Sequence, residues 1–223
     1  ARLFGAVRAL NRLGSVVPGL ANLAASSSIG RAMARLLMNI DPRRSLPRFA
    51  TPLSRAWRPE AEDQRPAVVL FGDCFSMYNE PGVGLATKRL MEACGYRVLL
   101  CDAGCCARPK ISLGLLEQAI EEADATLERL TPLLKRTDVR AFLFTEPSCL
   151  SAIKDDWLSL KLRTPIALRR SLAGRSFLVE DFFDRCWDEH PKRPAFRVPD
   201  APVLLHAHCH QKALWGALTS ERA

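Results

Sequence analysis

The chain lacks any apolar run of about eighteen residues. Its longest candidate, residues 15–25, is cut by Pro18 and Gly19, so no membrane-spanning helix is expected. A secretory signal is missing too, which argues against an oxidised, disulfide-stapled protein although there are eight cysteines. No C-x-x-C pair occurs, so the usual knuckle of a structural zinc site is absent. Basic residues are not interleaved with aromatics and no nucleic-acid motif is present, hence no nucleic-acid partner is expected. Lysine is missing from residues 1–66, which nevertheless hold eleven Arg against four acids.

Apolar residues make up 48% of the 223 residues and charged residues 25%, the range of an ordinary globular chain with one sizeable core. The net charge is +8, of which residues 1–66 contribute +7. Such a segment suits a solvated face, an arm packed on a neighbouring domain, or contact with an acidic or anionic surface. A transit peptide is an alternative reading of the acid-free first forty residues. The chain starts at Ala1 and ends at Ala223 within an expected helix, so it reads as a piece of something longer.

Residues 1–40 are expected to form two helices broken at Pro18-Gly19. Leu3, Val7, Leu10 and Leu13 lie on the stripe of the first, and Ile29, Met33, Leu36 and Leu37 on that of the second. Residues 41–66, with Pro42, Pro47, Pro52, Pro59 and Pro66, read as a linker or strap. The division is therefore an arm and linker over 1–66 and a cysteine-rich domain over 67–223. From Ala67 onward, short apolar runs alternate with helical patterns. Strands are expected at 67–71, 96–101, 140–144 and 203–205, and helices after Pro81, over 116–134, from Cys149, over 177–187 and after Cys209, with a loop over 192–199. This order predicts an α/β fold: a mostly parallel sheet with helices on both faces, preceded by a helical basic arm.

Cys74, the vicinal pair Cys105-Cys106, Cys149 and Cys209 each follow an expected strand. All would fall at the carboxyl edge of the sheet, where open α/β folds build their sites. Thiolates there are stabilised by helix N-termini, which suits metal ligation. Cys94 and Cys186 lie on helix stripes and read as packing; Cys101 reads as core or as a neighbour of the site. Iron in an all-sulfur site, zinc, a strained or long-range disulfide, a thiol nucleophile served by His206, His208 or His210, and buried structural thiols all remain open at this point.

The strings Asp73-Cys-Phe-Ser-Met-Tyr-Asn-Glu-Pro81, Gly104-Cys-Cys-Ala-Arg-Pro-Lys-Ile-Ser112, Glu146-Pro-Ser-Cys149 and His208-Cys-His-Gln-Lys-Ala213 closely resemble the cysteine-rich CCG domain. That family occurs in iron-sulfur subunits of glycolate oxidase, D-lactate dehydrogenase, anaerobic glycerol-3-phosphate dehydrogenase and heterodisulfide reductase. Residues 39–47 also look like the connector of long FAD-linked oxidases. The resemblance implies an iron-sulfur cluster of the 4Fe-4S type, noncubane in the heterodisulfide reductase branch, held by Cys74, Cys105, Cys106 and Cys149. Cys209 matches the first ligand of a second, truncated repeat. It further implies a non-autonomous part of an FAD-dependent oxidoreductase of a 2-hydroxy acid such as glycolate or D-lactate. FAD-binding and ferredoxin-like domains or subunits would be partners, with a membrane-peripheral or quinone-linked acceptor among the options. A cytoplasmic location, including the inner face of the membrane, follows. The alternative function is a noncatalytic interaction module stabilised by zinc or by thiols. Two departures stand out: Ala107 replaces the glycine of Cys-Cys-Gly, and Glu146 stands where the fullest motif has another cysteine, so a five-thiolate site is not expected. No flavin-binding segment and no C-x-x-C-x-x-C run is present, so these residues alone are not expected to oxidise a substrate.

Overall fold

The computed structural model describes residues 2–59, 61, 63–197 and 201–223. The arm folds as four short helices where two were expected: α1 (Arg2–Gly5), α2 (Val7–Gly14), α3 (Pro18–Ser26) and α4 (Ser28–Met38). Pro18 opens α3 at its first turn, where a missing N–H costs nothing, and Ser27 caps α4 by accepting from the Gly30 N–H at 2.9 Å. Apart from Val7, which packs against the core, the expected apolar stripes face outward. Leu13 is 72% exposed, and Ile29, Met33, Leu36 and Leu37 are exposed as well. The docked face of α2 is polar instead. Buried Asn11 donates to the Asn79 side chain at 2.8 Å, and buried Ser15 donates to the Tyr78 carbonyl at 3.1 Å. The reason lies in the partner: this face meets the carboxyl end of a helix, whose free carbonyls need donors rather than methyl groups.

The Pro-rich strap is tied down by Ala50, whose N–H donates to the Tyr78 carbonyl at 2.7 Å, and by α5 (Leu53–Ala56). Leu53 and Trp57 are buried in the core. Leu53 rests on Gly84, where an added Cβ would come within 2.5 Å of it.

Strand β1 (Ala67–Phe71) is followed by α6 (Cys74–Tyr78) and α7 (Pro81–Ala93), which closes at Gly95 with φ +90°. Next come β2 (Arg97–Cys101), α8 (Arg108–Ser112), α9 (Leu116–Leu134) and β3 (Val139–Phe144). A helix then runs as α10 (Pro147–Ser151), widens into a π turn over Ala152–Asp156, and ends as α11 (Trp157–Ser159). The chain continues through α12 (Ile166–Gly174), β4 (Ser176–Leu178), α13 (Val179–Arg185), α14 (Cys209–Leu214) and α15 (Leu218–Arg222).

The four strands form one parallel sheet in the order β2-β1-β3-β4. Their side chains alternate between two cores, as the pleat demands. Val69, Phe71, Phe142 and Phe144 join Leu127, Leu130 and Trp157 on one face; Val68, Leu70, Ala141 and Leu143 join Met91, Leu53 and Phe182 on the other. The α/β sheet with helices on both faces is therefore present. From β1 the chain crosses over one face by α7 to β2, then over the opposite face by α9 to β3 on the other side of β1. Reversing both direction and face keeps each crossover right-handed and opens a switch point at the carboxyl end of β1.

Two expectations about elements are corrected. Residues 203–205 are not a strand: Leu204 is 96% exposed, and the open side of β3 is already taken by β4, paired as Phe142↔Ser176 to Phe144↔Leu178. The helix expected over 177–187 begins later, because Phe177 and Leu178 belong to β4, and α12 was not expected at all. The loop over 192–199 is irregular through residue 197, and its last two residues lie outside the described residues. Among the described residues, no helix is long and apolar enough to cross a membrane.

Because Leu53 is fully buried, Leu53→Ala is expected to lower stability by about 2–5 kcal/mol, a core-sized loss from a segment that reads as a linker. Urea unfolding of the two proteins measures it; a loss below about 1 kcal/mol would mean the strap does not contribute to the core.

Candidate metal centre

Three loops meet at the carboxyl edge of the sheet, and each brings thiols. Cys74 opens α6 after β1, Cys105 and Cys106 follow β2, and Cys149 sits in α10 after β3. All four are buried, and all eight cysteines of the chain are free. Cys74 Sγ donates to Cys105 Sγ at 3.9 Å, and Cys106 Sγ donates to Cys149 Sγ at 2.9 Å. The contact of 2.9 Å is longer than a disulfide, and shorter than the spacing of about 3.8 Å that two thiolates of one tetrahedral zinc would take. Among the described residues no three His, Cys, Asp or Glu side chains are arranged to hold one metal ion. The four sulfurs instead form a soft pocket whose sulfurs contact one another, with the Arg8 guanidinium beside Cys74, and an all-thiolate set of ligating atoms is the donor chemistry that suits an iron-sulfur cluster.

The loop over 102–107 is held from beneath. The Thr126 hydroxyl donates to the Cys105 carbonyl at 2.9 Å, Arg129 Nη1 to the Ala103 carbonyl at 2.9 Å, and Trp157 Nε1 to the Cys106 carbonyl at 3.1 Å. Gly104, at φ +124°, lets α9 approach so closely; a Cβ there would stand 2.7 Å from Thr126 Oγ1 and 3.1 Å from Arg129 Nη1. Ala107 adopts φ 62°, the left-handed region that its glycine counterpart would enter without strain. Its methyl is fully buried, which offsets part of that cost. Across the site, the Asp73 carboxylate accepts from the Phe75 and Ser76 N–H groups at 2.8 and 2.9 Å and from Thr145 Oγ1 at 2.7 Å. It thereby caps α6 and ties the end of β1 to the end of β3.

The charge of the pocket is concentrated on one sulfur. Hydrogen bonds from Cys106 and then Cys74 push the Cys105 thiol down to about 3, against the cost of burial. Cys74 moves upward because of its hydrogen bond to Cys105 and its burial, and Cys106 moves upward through its bonds to Cys105 and Cys149 and its burial. For Cys149 the Cys106 hydrogen bond acts downward, but burial and the Asp73 carboxylate outweigh it, and the thiol is raised. Arg8 reaches in from α2, donating to the Gly72 carbonyl at 3.0 Å and to Cys74 Sγ at 3.9 Å and pairing with Asp102. Burial acts to lower its guanidinium, yet its interactions with the Cys74 sulfur and the Asp102 carboxylate prevail and raise it.

Cys209 stands apart. It is exposed, with its sulfur 3.9 Å from His208 Nδ1, and residues 201–208 directly before it form no strand. The expectation that all five cysteines follow strands on one edge therefore holds for Cys74, Cys105, Cys106 and Cys149 and is corrected for Cys209. Glu146, at the place of an additional cysteine, caps α10: its carboxylate accepts from the Ser148 N–H at 3.1 Å and hydroxyl at 2.6 Å. It also lies 4.0 Å from His208 Nε2. His210 shares a hydrogen bond of 2.9 Å with Ser151, and His206 is exposed. Cys94 and Cys186 pack at the second core as expected, and Cys101, the last residue of β2, lies in the first. Three supporting residues escaped the reading of the sequence: Arg8, Thr126 and Arg129. Thr126 carried a signal, since a hydroxyl beside Ala123, Leu127 and Leu130 must find a buried partner.

No family model matches the chain, and no solved structure matches it. A subunit of the anaerobic glycerol-3-phosphate dehydrogenase of Escherichia coli, from strain K12 and from O157:H7, is 26% identical to it over 208 residues. The match takes in 91% of this chain and 51% of each relative, so the chain spans about half the length of the curated relatives it matches.

The two unusual backbone positions give opposite expectations. Gly104→Ala should cost about 2 kcal/mol or more, through strain and displacement of the Thr126 bond. Ala107→Gly should stay within about 1 kcal/mol of the parent, because relief of strain is offset by the lost methyl and the freer unfolded chain. Paired urea unfolding curves test both; equal effects would contradict the assigned geometry.

Proposed function

We propose that this chain is an iron-sulfur electron-transfer region of a dehydrogenase, with Cys74, Cys105, Cys106 and Cys149 as cluster ligands. The observation that carries the reading is the convergence of four buried thiols from three strand-end loops into one all-sulfur pocket. The likeness to one component of a dehydrogenase supports an oxidoreductase role in electron transfer. The resemblance to the CCG domain takes the reading further, to a 4Fe-4S type cluster and to an FAD-linked enzyme oxidising a 2-hydroxy acid, with the flavin in another domain or subunit. In this reading Cys209 belongs to a second site, separate from the four sulfurs.

A cluster bound there would accept and release single electrons. The chain's own contribution is mechanical and electrostatic. The loops after β1, β2 and β3 present sulfur; Phe71, Phe144 and Leu150 keep water from one side of it. Thr126, Arg129 and Trp157 absorb the loop carbonyls, so that none of them faces the sulfurs unpaired. The first N–H groups of α6 and α10 are taken by the Asp73 and Glu146 carboxylates, so the positive charge offered to the sulfurs is that of Arg8 beside Cys74. Glu146 remains with Ser148 as a helix cap in this scheme, and four thiolates suffice.

Anaerobically reconstituted protein is expected to hold iron and sulfide, with the broad visible absorption of thiolate-to-iron charge transfer. Cys105→Ser and Cys149→Ser should lose most of the iron while Cys94→Ser and Cys186→Ser retain it. Zinc without iron in the parent protein, or full iron in the first two variants, would overturn the assignment and favour a metal- or thiol-stabilised interaction module.

A further inference from the structure

Among the described side chains of the arm helices, Arg8 is the arginine that turns inward. Arg12, Arg31 and Arg35 are exposed, whereas the Arg8 side chain is 14% exposed and lies against the thiol pocket. Its guanidinium donates to the Gly72 carbonyl and to Cys74 Sγ, pairs with the Asp102 carboxylate, and lies 5.6 Å from the centre of the Tyr78 ring. Gly72 and Asp102 are the residues immediately beyond β1 and β2, so one side chain bridges the two loops that carry Cys74 and Cys105. Among the described residues it is the cationic side chain in hydrogen-bond reach of one of the four sulfurs. Other charges nearby are spoken for: Lys110 pairs with Glu122 at 2.6 Å, Arg108 with Asp156 at 2.5 Å, and Asp73 caps α6.

We infer that Arg8 is a positioning and tuning residue, whose fixed positive charge raises the reduction potential of the cluster that Cys74, Cys105, Cys106 and Cys149 hold. The inference rests on the iron-sulfur reading above. Each one-electron reduction adds a negative charge to an already anionic, buried site, and a cation beside one of its sulfurs stabilises that added charge. Asp102 opposes Arg8 but weakly, because its side chain is 52% exposed and water screens it, whereas the Arg8 side chain is largely buried. The forked guanidinium matters for placement. It bonds a carbonyl on one loop and a carboxylate on the other simultaneously, a pairing that a single ammonium serves less well.

The competing role is purely structural, with Arg8 only docking α2. Midpoint potentials of the reconstituted protein, titrated with dithionite and followed by visible absorption, separate the two. Arg8→Gln is expected to lower the equilibrium constant for one-electron reduction about tenfold, a shift of about 59 mV downward. Asp102→Asn, a change at a half-exposed residue that leaves the core intact, should shift the potential upward, since it frees the Arg8 charge. Arg8→Lys should fall within about a third of the Gln shift while loosening the arm in thermal melts. Equal potentials in the parent, Arg8→Gln and Asp102→Asn, with only melting temperatures altered, would overturn the inference. If Arg8→Gln fails to load iron, the double variant Arg8→Gln/Asp102→Asn decides, because no unpaired carboxylate is left in it: a potential below that of Asp102→Asn upholds the role and an equal potential refutes it. A parent protein that takes up no iron at all refutes the iron-sulfur reading itself, a result distinct from iron-loaded proteins of unchanged potential.

Discussion

Thiols can converge in a protein interior only if the backbone that carries them has its own polar groups satisfied elsewhere. Here that constraint is met by donors reaching up from the layer below: Thr126 and Arg129 from α9 and the Trp157 indole from α11 take the carbonyls of Cys105, Ala103 and Cys106. The loop is thereby pinned on its carbonyl side, and its sulfurs are left facing Cys74 and Cys149. Gly104 follows from the same constraint, because a side chain at that point would occupy the space of the donor hydroxyl. The order of the sheet supplies the rest. With β2 and β3 on opposite sides of β1, the three loops open toward one crevice rather than three separate ones.

Much of this was legible in residue order, and the exceptions have physical causes. Ala67–Phe71 read as a strand because five consecutive apolar residues left no polar side chain to turn toward water, and the structure gives those same bounds; the strand expected over 96–101 starts one residue later, at Arg97. The three loop positions of Cys74, Cys105-Cys106 and Cys149 followed from the strands. Val203 to Leu205 shared the apolar composition but not the circumstance. A strand needs a free neighbouring edge, and the neighbour was claimed by Ser176–Leu178, whose three residues were too few to announce themselves. Cys209 was misplaced with it. The arm failed differently. Its leucines have helical spacing, as expected, yet the domain offers α2 the carboxyl end of a helix, so Asn11 and Ser15 dock and Leu13 does not. Periodicity identifies the two faces of a helix; it does not say which one a polar partner selects.

Electrostatically, the pocket joins two parts of the chain that composition separates. Almost all the excess positive charge lies in residues 1–66, and all the cysteines lie beyond it. Arg8 links them at a single point, between the ends of β1 and β2. The arm and the sulfur loops accordingly share hydrogen bonds, and what fixes α2 also fixes the charge beside Cys74.

The widened turn at Ala152–Asp156 sets the phase of everything that follows it on that helix. An α-helix advances about 100° per residue, so one extra residue in a turn rotates the subsequent side chains by about that angle. Trp157 comes directly after the widened turn and donates from its indole to the Cys106 carbonyl. The insertion therefore works as a rotational key: lengthening the chain by one residue aims the indole, and the same helix without it would carry that tryptophan past the loop it supports.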